Sequence, residues 1–341
     1  MRLRRSPVVA REPARWHRER VILAAGVLVF LTVGVVLTWV ALPARDPAPS
    51  DECPPGATAR PSDSEGLRAA LTTARPGDVI RLDEKGVYSG PFEIEVEATE
   101  DEPVWLCGQG SVLVGESITS GNVLTVRRSA WVHVTGVFVE SGTRGVVVDR
   151  SDHVSFTDGG VRGTGQEAVH LLRGTTDSLI ARNIIEDTGL RRPQWGEGVY
   201  VGTSPPNEER MNAGESDRSD GNRIADNEFR RTSAECVDAK TGTRGGVIEG
   251  NVCDLSEIGR FDTGQYTTRN GFVIRGNDWR VTGNALTWPG PGAADGFITD
   301  GIRVHVGEGR GEGNVIEGNR LGGTDVRADP SFGNRVNGNA P

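Results

Sequence analysis

The chain has 341 residues, of which 36% are hydrophobic and 25% are charged, a balance that is ordinary for a globular protein. It contains 47 glycines beside only 6% aromatic residues, which favours short strands and tight turns over long helices. The net charge is −9 at pH 7, and residues 1–45 hold eight Arg and two Glu, a net of +6, so the remainder carries −15. Such an acidic remainder argues against nucleic acid as a partner.

An uncharged apolar segment runs from Val21 to Leu42. At about 1.5 Å per residue it can cross a hydrocarbon layer of ~30 Å, which predicts a transmembrane helix over residues 21–42. The alternative is a cleaved signal peptide, but its apolar region is usually ~7–15 residues long, and no clear cleavage site follows Leu42. Seven Arg precede the segment, so residues 1–20 are expected to be cytoplasmic and the chain after Leu42 extracytoplasmic. We therefore expect a single-pass protein of the cell membrane.

Residues 43–61 are rich in Pro and small side chains, which is typical of an extended linker leading to a folded domain at 62–341. Four cysteines lie on this oxidising side of the membrane: Cys53, Cys107, Cys236 and Cys253. They can form two disulfides in three ways, of which we expect consecutive pairing. The alternative for Cys236 and Cys253 is a pair of small buried thiols.

An internal repeat fills the folded domain. Its marker is an apolar residue before a turn, and the markers are Val114, Val134, Phe156, Ile180, Ile224, Ile248, Val281, Ile316 and Val336. The first three steps are 20, 22 and 24 residues, and a second strand is expected 13 residues after several markers, at Val147, Val169 and Val237. Two spacings that agree predict a solenoid of short strands in which each coil stacks on the last.

An asparagine follows many of these markers by three residues, namely Asn183, Asn227, Asn251, Asn284, Asn319 and Asn339. Asparagine tolerates the left-handed conformation of a tight corner, and stacked amides can hydrogen-bond from coil to coil. We therefore expect these asparagines to be structural, with each one in the left-handed conformation. Longer insertions break the repeat at residues 189–221, 255–270 and 286–300, and insertions at one corner can wall a groove.

Two sequence features resemble a known group of proteins. One is the N-x-I-x-x-N turn, as from Asn222 to Asn227, and the other is GLRAALTTARPGDVIRL with GVYSGPF shortly after it. Both are similar to the right-handed parallel β-helix proteins of the pectate-lyase-like superfamily, over residues 62–341. The resemblance implies an all-β solenoid, a right-handed parallel β-helix. It also implies polysaccharide as a partner, although this scaffold carries many reactions and does not name one. The amphipathic pattern from Ser64 to Leu71, which ends before Pro76-Gly77, itself predicts a short helix that can cap the first coil.

Aligning the second strands places Glu167, Glu197 and Glu235 at one position in neighbouring coils. Stacked carboxylates repel one another unless positive charge lies between them, and Ca²⁺ accepts carboxylate oxygens from adjacent strands. Strand alternation places Asp238 and Lys240 on one face, and turns Glu235 to the other face unless the chain bends there. Asp238 is therefore an alternative calcium ligand.

Lys240 is one of only two lysines among 38 basic residues, and a general base is a role that Arg cannot fill. Alignment of the next coil places Arg275 beside it. This arrangement is similar to that of the calcium-dependent alginate lyase and chondroitinase B group. The resemblance implies Lys240 as the catalytic base, Arg275 as an assisting cation, and Glu197 with Glu235 as Ca²⁺ ligands.

The sequence thus favours a membrane-anchored, extracytoplasmic protein that acts on or binds polysaccharide, with calcium-dependent β-elimination at a uronate as the enzymatic hypothesis. One alternative is a non-catalytic glycan-binding or cell-surface interaction module, and another is a charged ladder that merely solvates a strand. An inverting hydrolase would need two carboxylates ~6.5–9.5 Å apart, such as Asp238 with Asp262 or Asp300. The candidate substrate-binding residues are His170, Trp195, Tyr200 and Trp288, with the tryptophans and Tyr200 expected to stack on sugar rings.

Overall fold

The computed structural model describes residues 52–259, 269–288 and 298–341. The predicted cytoplasmic tail, the membrane span and the first part of the linker lie outside these residues. Across the described ranges, none of the helices has both the length and the apolar character needed to traverse a bilayer.

The described chain consists mainly of short strands. The strands before the first insertion are β1 (Val79–Arg81), β2 (Val87–Ser89), β3 (Phe92–Ile94), β4 (Val104–Val114), β5 (Asn122–Arg127), β6 (Val132–Glu140), β7 (Arg144–Asp149), β8 (Ser155–Thr157), β9 (Gly160–Arg162), β10 (Val169–Leu172), β11 (Leu179–Ala181) and β12 (Ile184–Glu186). The later strands are β13 (Val199–Val201), β14 (Arg223–Ala225), β15 (Glu228–Arg230), β16 (Val237–Ala239), β17 (Val247–Glu249), β18 (Val252–Asp254), β19 (Asn270–Ile274), β20 (Arg280–Thr282), β21 (Ala285–Thr287), β22 (Asp300–Val304), β23 (Val315–Glu317), β24 (Val326–Arg327) and β25 (Arg335–Asn337). The helices are α1 (Ser64–Thr72) and α2 (Pro205–Asn212), with single 3-10 turns at Pro193–Trp195 and Pro330–Phe332.

All paired strands run parallel, in a sixteen-stranded and a nine-stranded sheet. The smaller sheet has the order β24-β22-β19-β16-β13-β10-β7-β5-β3, so each strand pairs with the strand one coil away. The larger sheet has two branches that meet at β4 and β6, and successive coils contribute one strand to each branch. A coil such as β14, β15 and β16 therefore has three strands, which confirms the predicted parallel β-helix.

The repeat markers point into the coil. Phe156, Ile180, Ile224 and Ile248 are register partners on successive strands, and each has an exposed fraction of 1% or less. The series from Val134 to Val336 is confirmed in register. Two positions were wrong: Leu106, not Val114, pairs with Val134, and Val146, not Val147, pairs with Val169. Val114 lies beyond the register shift in β4 and pairs with Glu140, whereas Val146 follows its marker one residue earlier than the predicted spacing.

The asparagine ladder forms as predicted, but not in the predicted backbone conformation. The side-chain oxygen of Asn227 accepts from the backbone N–H of Asn183 at 3.0 Å and from its amide at 3.1 Å, and Asn251 does the same for Asn227. The left-handed residue is the one before the asparagine, such as Arg182 (φ 55°) or Asp226 (φ 54°). The left-handed assignment to asparagine was therefore wrong. The residue before each asparagine turns the chain, and the asparagine amide hydrogen-bonds to the neighbouring coil.

Both expected disulfides are present, Cys53–Cys107 and Cys236–Cys253, so the alternative of buried thiols is wrong. The predicted capping helix is confirmed as α1. The carboxylate of Asp63 caps it by accepting from the backbone N–H of Gly66 at 2.7 Å. Leu67 and Leu71 are buried against the first coil, so α1 covers apolar surface at the amino end of the solenoid.

Candidate functional site

The predicted glutamate ladder lies along one edge of the smaller sheet. Val169, Val199 and Val237 are register partners on β10, β13 and β16, and a glutamate lies two residues before each of them. These are Glu167, Glu197 and Glu235, and all three are at most 6% exposed. Because β16 begins only at Val237, the chain bends before it, so Glu235 and Asp238 face the same side. The predicted alternation conflict is thereby removed.

Three of the acids form a compact cluster. Glu197, Glu235 and Asp238 each offer a carboxylate oxygen within 4.8 Å of the others. Glu167 stays outside this cluster because it pairs with Arg144, whose Nε lies 2.8 Å from its carboxylate. We call Glu197, Glu235 and Asp238 the acidic triad.

Two cations meet the triad at Asp238. Lys240 Nζ donates to one oxygen of Asp238 at 2.5 Å, and an Arg275 nitrogen donates to the other at 2.5 Å. Arg275 follows β19 as Lys240 follows β16, and its backbone N–H bonds to the carbonyl of Ala239. The predicted stacking of Arg275 beside Lys240 is therefore present, with Asp238 joining them.

The electrostatics divide the triad into two kinds of carboxylate. Burial would raise the pKa of Asp238, but Arg275 and Lys240 outweigh it and hold that pKa below its ordinary value. Burial raises the pKa of Glu235 to about 7, with repulsion from Asp238 adding to the effect. The pKa of Glu197 also lies well above its ordinary value, because of burial and despite the attraction of Lys240. Positive charge thus compensates Asp238 more fully than it compensates Glu197 or Glu235.

Lys240 is held as an ammonium ion in this arrangement. Burial lowers the pKa of Lys240, but the attraction of Asp238 is stronger overall and raises it above its ordinary value. The ammonium also lies 4.2 Å from the ring centroid of Tyr200. A base at Lys240 therefore needs added positive charge near Asp238, which would weaken this attraction.

The residues of the triad suit a divalent cation. Carboxylate oxygens from adjacent strands are the hard ligands that Ca²⁺ takes in proteins. One oxygen of Glu197, Oε2, is buried and has no hydrogen-bond partner among the described residues. A buried carboxylate oxygen without a partner is costly, and a cation between Glu197 and Glu235 would satisfy it. The donor set and the unsatisfied oxygen therefore fit the expected metal.

The site opens into a cleft of about 610 Å³. Its floor is the smaller sheet, with Tyr200, Asp238 and Lys240 among the lining residues. Its walls come from the first insertion: the 3-10 turn Pro193–Trp195 provides Trp195, and α2 provides Arg210 and other residues. This arrangement confirms the predicted groove walled by inserted residues, and the groove is not a flat charged surface.

The four predicted substrate-binding residues differ in position. Trp195 lines the cleft and is 36% exposed, so its indole is accessible. Tyr200 also lines the cleft, but it is only 8% exposed, with Lys240 over its ring and His170 against it at 4.5 Å. Burial raises the pKa of Tyr200 to about 12, so its hydroxyl keeps its proton. Trp288 packs against the hydrophobic core and is not among the residues that line this cleft.

His170 is a neutral imidazole at the edge of the cleft. Its Nε2 lies 3.0 Å from the carbonyl oxygen of Gly202, which can only accept, so Nε2 carries the proton. Burial lowers the pKa of His170 to about 4. The side chain therefore supports the ring of Tyr200 and adds no charge to the cleft.

Sequence reasoning missed several cleft residues, among them Arg144 and the α2 residues Asn207, Arg210 and Met211. Arg144 could have been found, because it occupies the ladder position of Glu167 one coil earlier and offers it a counter-charge. The α2 residues carry no repeat signal. Of the hydrolase alternatives, Asp300 pairs with Arg303 and lies outside the residues that line the cleft, and Asp262 lies outside the described residues.

No protein-family model matches the chain, and no curated protein sequence matches it either. Solved structures do match it, and the match agrees with the class of protein that the strand order shows, a parallel β-helix. An alginate lyase from Paenibacillus sp. str. FPU-7 is 25% identical, with a TM-score of 0.71, over 84% of this chain and 100% of that one. The pectate lyase Pel9A is 14% identical, with a TM-score of 0.55, over 76% of this chain and 66% of that one, and shows the fold alone.

Proposed function

We propose that this protein is a polysaccharide lyase that cleaves a uronate-containing glycan by β-elimination. The observation that carries the proposal is the position of Lys240, on the floor of a cleft and in contact with both Asp238 and Tyr200. The similarity of the whole domain to an alginate lyase supports an acidic glycan as the substrate. Elimination needs a base, an acid and a means of neutralising the uronate carboxylate, and the cleft offers a residue for each.

Lys240 is the base in this proposal. Its neutral amine takes the proton α to the uronate carboxylate, the bond from the β carbon to the glycosidic oxygen breaks, and a carbon–carbon double bond forms. Tyr200 donates its hydroxyl proton to the departing oxygen, which its raised pKa of about 12 makes available at neutral pH. The proton on Lys240 then returns to the Tyr200 phenolate, and the ring centroid of Tyr200 lies 4.2 Å from Nζ. Arg275 pairs with the uronate carboxylate.

Glu197 and Glu235, with Asp238 as the third ligand, would hold Ca²⁺. When bound, the ion would acidify the proton α to the carboxylate and weaken the hold of Asp238 on the Lys240 proton. The unsatisfied Oε2 of Glu197 and the raised pKa values of Glu197 and Glu235 support this assignment.

The test is a turnover assay with the full-length chain on alginate, polygalacturonate and other acidic polysaccharides. The expected result is growth of unsaturated-uronate absorbance on at least one polymer, in the presence of calcium and not with a chelator. The control for substitution of Lys240 is Lys85→Ala, which should keep full turnover. Lys85 is the only other lysine, and it lies in a turn outside the cleft lining. Absence of unsaturated product from every polymer, with calcium present, would refute the lyase.

A second candidate is a glycan-binding protein without chemistry. The short contact between Lys240 and Asp238 favours it, since a paired ammonium cannot accept a proton. In that case Lys240→Ala would leave glycan affinity unchanged, whereas Trp195→Ala would weaken it. The lyase instead requires loss of turnover in the Lys240 variant.

We further propose that residues 21–42 anchor the protein in the cell membrane, with the β-helix outside. The two disulfides of the described domain support an oxidising compartment, because disulfides are rare in the cytosol. Protease added to intact cells should degrade the β-helix domain and spare the amino-terminal tail. Protection of the whole chain would contradict this orientation.

A further inference from the structure

A single buried carboxylate closes the base of the first insertion. Asp217 is fully buried and lies where the chain returns to the solenoid before β14. Its carboxylate accepts from the hydroxyl of Thr203 at 2.6 Å and from the hydroxyl of Ser219 at 2.7 Å. Thr203 lies just after β13, where the chain leaves the solenoid. Asp217 therefore joins the outgoing and returning ends of residues 203–217, which we call the α2 loop.

The same residue ties the α2 loop to the floor of the cleft. Its carboxylate also accepts from the backbone N–H groups of Arg173 at 2.7 Å and Gly174 at 3.0 Å, in the turn after β10. The backbone of Asp217 packs on Gly242, in the turn after β16, where a Cβ would lie only 2.7 Å from the Asp217 carbonyl oxygen. Asp217 thus contacts the turns that follow three neighbouring floor strands, β10, β13 and β16.

Between its two ends, the α2 loop bonds to itself. None of the eight residues of the described helix α2 is buried. The amide of Asn207 donates to the hydroxyl of Ser204 at 2.9 Å, and the amide of Asn212 donates to the carbonyl of Glu215 at 2.7 Å. A short helix without a buried apolar face gains little stability from packing. The position of α2 therefore depends on the anchor at Asp217.

The two walls of the cleft are attached in different ways. The 3-10 turn that carries Trp195 is bonded to the solenoid directly, because the hydroxyl of Ser233 donates to the carbonyl of Pro193 at 2.9 Å. The α2 wall, which brings Met211 to the cleft, is attached through the ends of its loop. One wall is thus bonded to the coil along its own length, and the other is held through Asp217.

We infer that Asp217 is a positioning residue that latches the α2 loop, so that α2 forms a fixed wall for the glycan in the cleft. The identity of the ligand rests on the proposed function, whereas the latch does not. A loop that is already ordered loses little conformational freedom when a ligand binds, but a released loop must be ordered on binding, which weakens affinity. Release of the latch should therefore weaken glycan binding without any change at Lys240.

The latch is tested first without a ligand, by limited trypsin digestion of the full-length chain. Arg210 lies within α2, and cleavage after it requires the helix to open locally. Asp217→Asn leaves one backbone N–H without its acceptor, so this cleavage should accelerate about tenfold, as followed by mass spectrometry. Thr203→Val, which removes only the bond to the outgoing end, should act in the same direction. The matched control is Asp149→Asn, because Asp149 is a buried carboxylate that bonds to the Arg173 side chain and not to the loop.

The second measurement is equilibrium binding of a labelled alginate hexasaccharide to the full-length chain, with Lys240→Arg present so that the ligand is not consumed. Asp217→Asn should raise the Kd about tenfold. A shortened loop, with residues 204–216 replaced by a Gly-Ser linker, should raise the Kd at least as much. Adding Asp217→Asn to the shortened loop should have no further effect, because Asp217 acts only through α2.

Equal rates of trypsin cleavage after Arg210 in Asp217→Asn and in the wild type would overturn the latch, whatever the protein does to glycans. So would an equal rise of the Kd in Asp217→Asn and in the Asp149→Asn control, or additive effects of Asp217→Asn and the shortened loop. Turnover separates the latch from the proposed function. Faster cleavage in the variant without any unsaturated product from the wild type would keep the latch and refute the lyase, whereas unsaturated product with unchanged cleavage would keep the lyase and refute the latch.

Discussion

Two ladders of polar side chains run along this solenoid, and they are built from the same coils. The asparagine ladder lies at a corner of the larger sheet, where Asn183, Asn227 and Asn251 each bond to the next. The glutamate ladder lies at the edge of the smaller sheet and includes Glu197 and Glu235. Both ladders are buried and both repeat at the strand spacing.

The difference between the ladders is chemical. A carboxamide has a donor and an acceptor, so a stack of asparagines satisfies itself from coil to coil. An ionised carboxylate only accepts, so a stack of glutamates needs protons or cations from elsewhere. Arg144 supplies one for Glu167, whereas Glu197 keeps an unsatisfied oxygen and a raised pKa. A self-sufficient ladder is therefore structural, and one that is not self-sufficient indicates a ligand.

The largest expected effect is at Lys240, because the contrast between the two ladders gives it a catalytic role and not a structural one. Lys240→Arg keeps a positive charge beside Asp238 but cannot act as a base. We expect kcat to fall by about 10²–10⁴-fold, with the melting temperature little changed. Steady-state turnover of the best polymer by Lys240→Arg and by the Lys85→Ala control would measure this. Turnover by Lys240→Arg within a few-fold of the wild type would contradict the assignment.

Next in size is the loss of one amide from the structural ladder. Asn251 accepts from two donors of Asn227 and donates to the carbonyl of Ile224 and to Asn284. Asn251→Ala leaves several of these buried groups unpaired, so the free energy of unfolding should fall by about 3 kcal/mol. Denaturant titration measures it, with exposed Asn337→Ala as the control. A loss no larger than in the control would break the contrast between the ladders.

The glutamate ladder should respond to pH in the opposite sense to an ordinary carboxylate. The pKa of Glu235 is about 7 in the folded protein against an ordinary 4.5, so its stabilising proton is fully bound below about 4.5 and lost as pH rises through 7. The free energy of unfolding should thus fall by about 2 kcal/mol between about pH 5 and pH 8.

A variant with Glu197→Gln and Glu235→Gln should lack this loss, since neither amide titrates. Calcium should restore the stability of the wild type at about pH 8 and should not affect the variant. Urea titrations at both pH values, with and without calcium, would check all three expectations. If the free energy of unfolding depended on pH in the same way in both proteins, titration of Glu197 and Glu235 would not be its cause.

The smallest expected effect is at the cleft wall. Trp195→Ala removes an accessible indole from the first insertion, so KM should rise about fivefold with kcat nearly constant. Trp131→Ala is the control, because Trp131 is a half-buried tryptophan stacked on His153 and does not line the cleft. A rise of KM in both variants would indicate a change in the fold and not a lost sugar contact.

Much of this architecture could be predicted from the sequence, because stacking imposes a period on it. Marker spacing located the coils, and the asparagine positions located the ladder. The alignment of Glu197, Glu235, Lys240 and Arg275 followed from the same register. Residue spacing alone does not give local backbone geometry, and the errors arose there. In the irregular strand β4, Leu106 and not Val114 is the register partner of Val134. At the corner, Arg182 and not Asn183 has the left-handed backbone conformation.

The sequence predicted which residues form the candidate site better than it predicted how they interact. Sequence could place Lys240 beside Asp238, but only geometry shows that Asp238 accepts from Lys240 and Arg275 together. Tyr200 was assigned to sugar stacking, whereas Lys240 and His170 cover its ring and burial keeps its hydroxyl protonated. The cleft wall α2 carries no repeat signal, since insertions are free of the period that stacking requires.

The mass of the oligosaccharides released from alginate or polygalacturonate by the full-length protein tests the central claim most directly. Elimination predicts product pairs whose masses sum to that of the parent chain, with one unsaturated end. Products heavier by one water would show hydrolysis and would contradict the roles of Lys240 as base and Tyr200 as acid. Recovery of every polymer intact, with calcium present, would contradict catalysis itself.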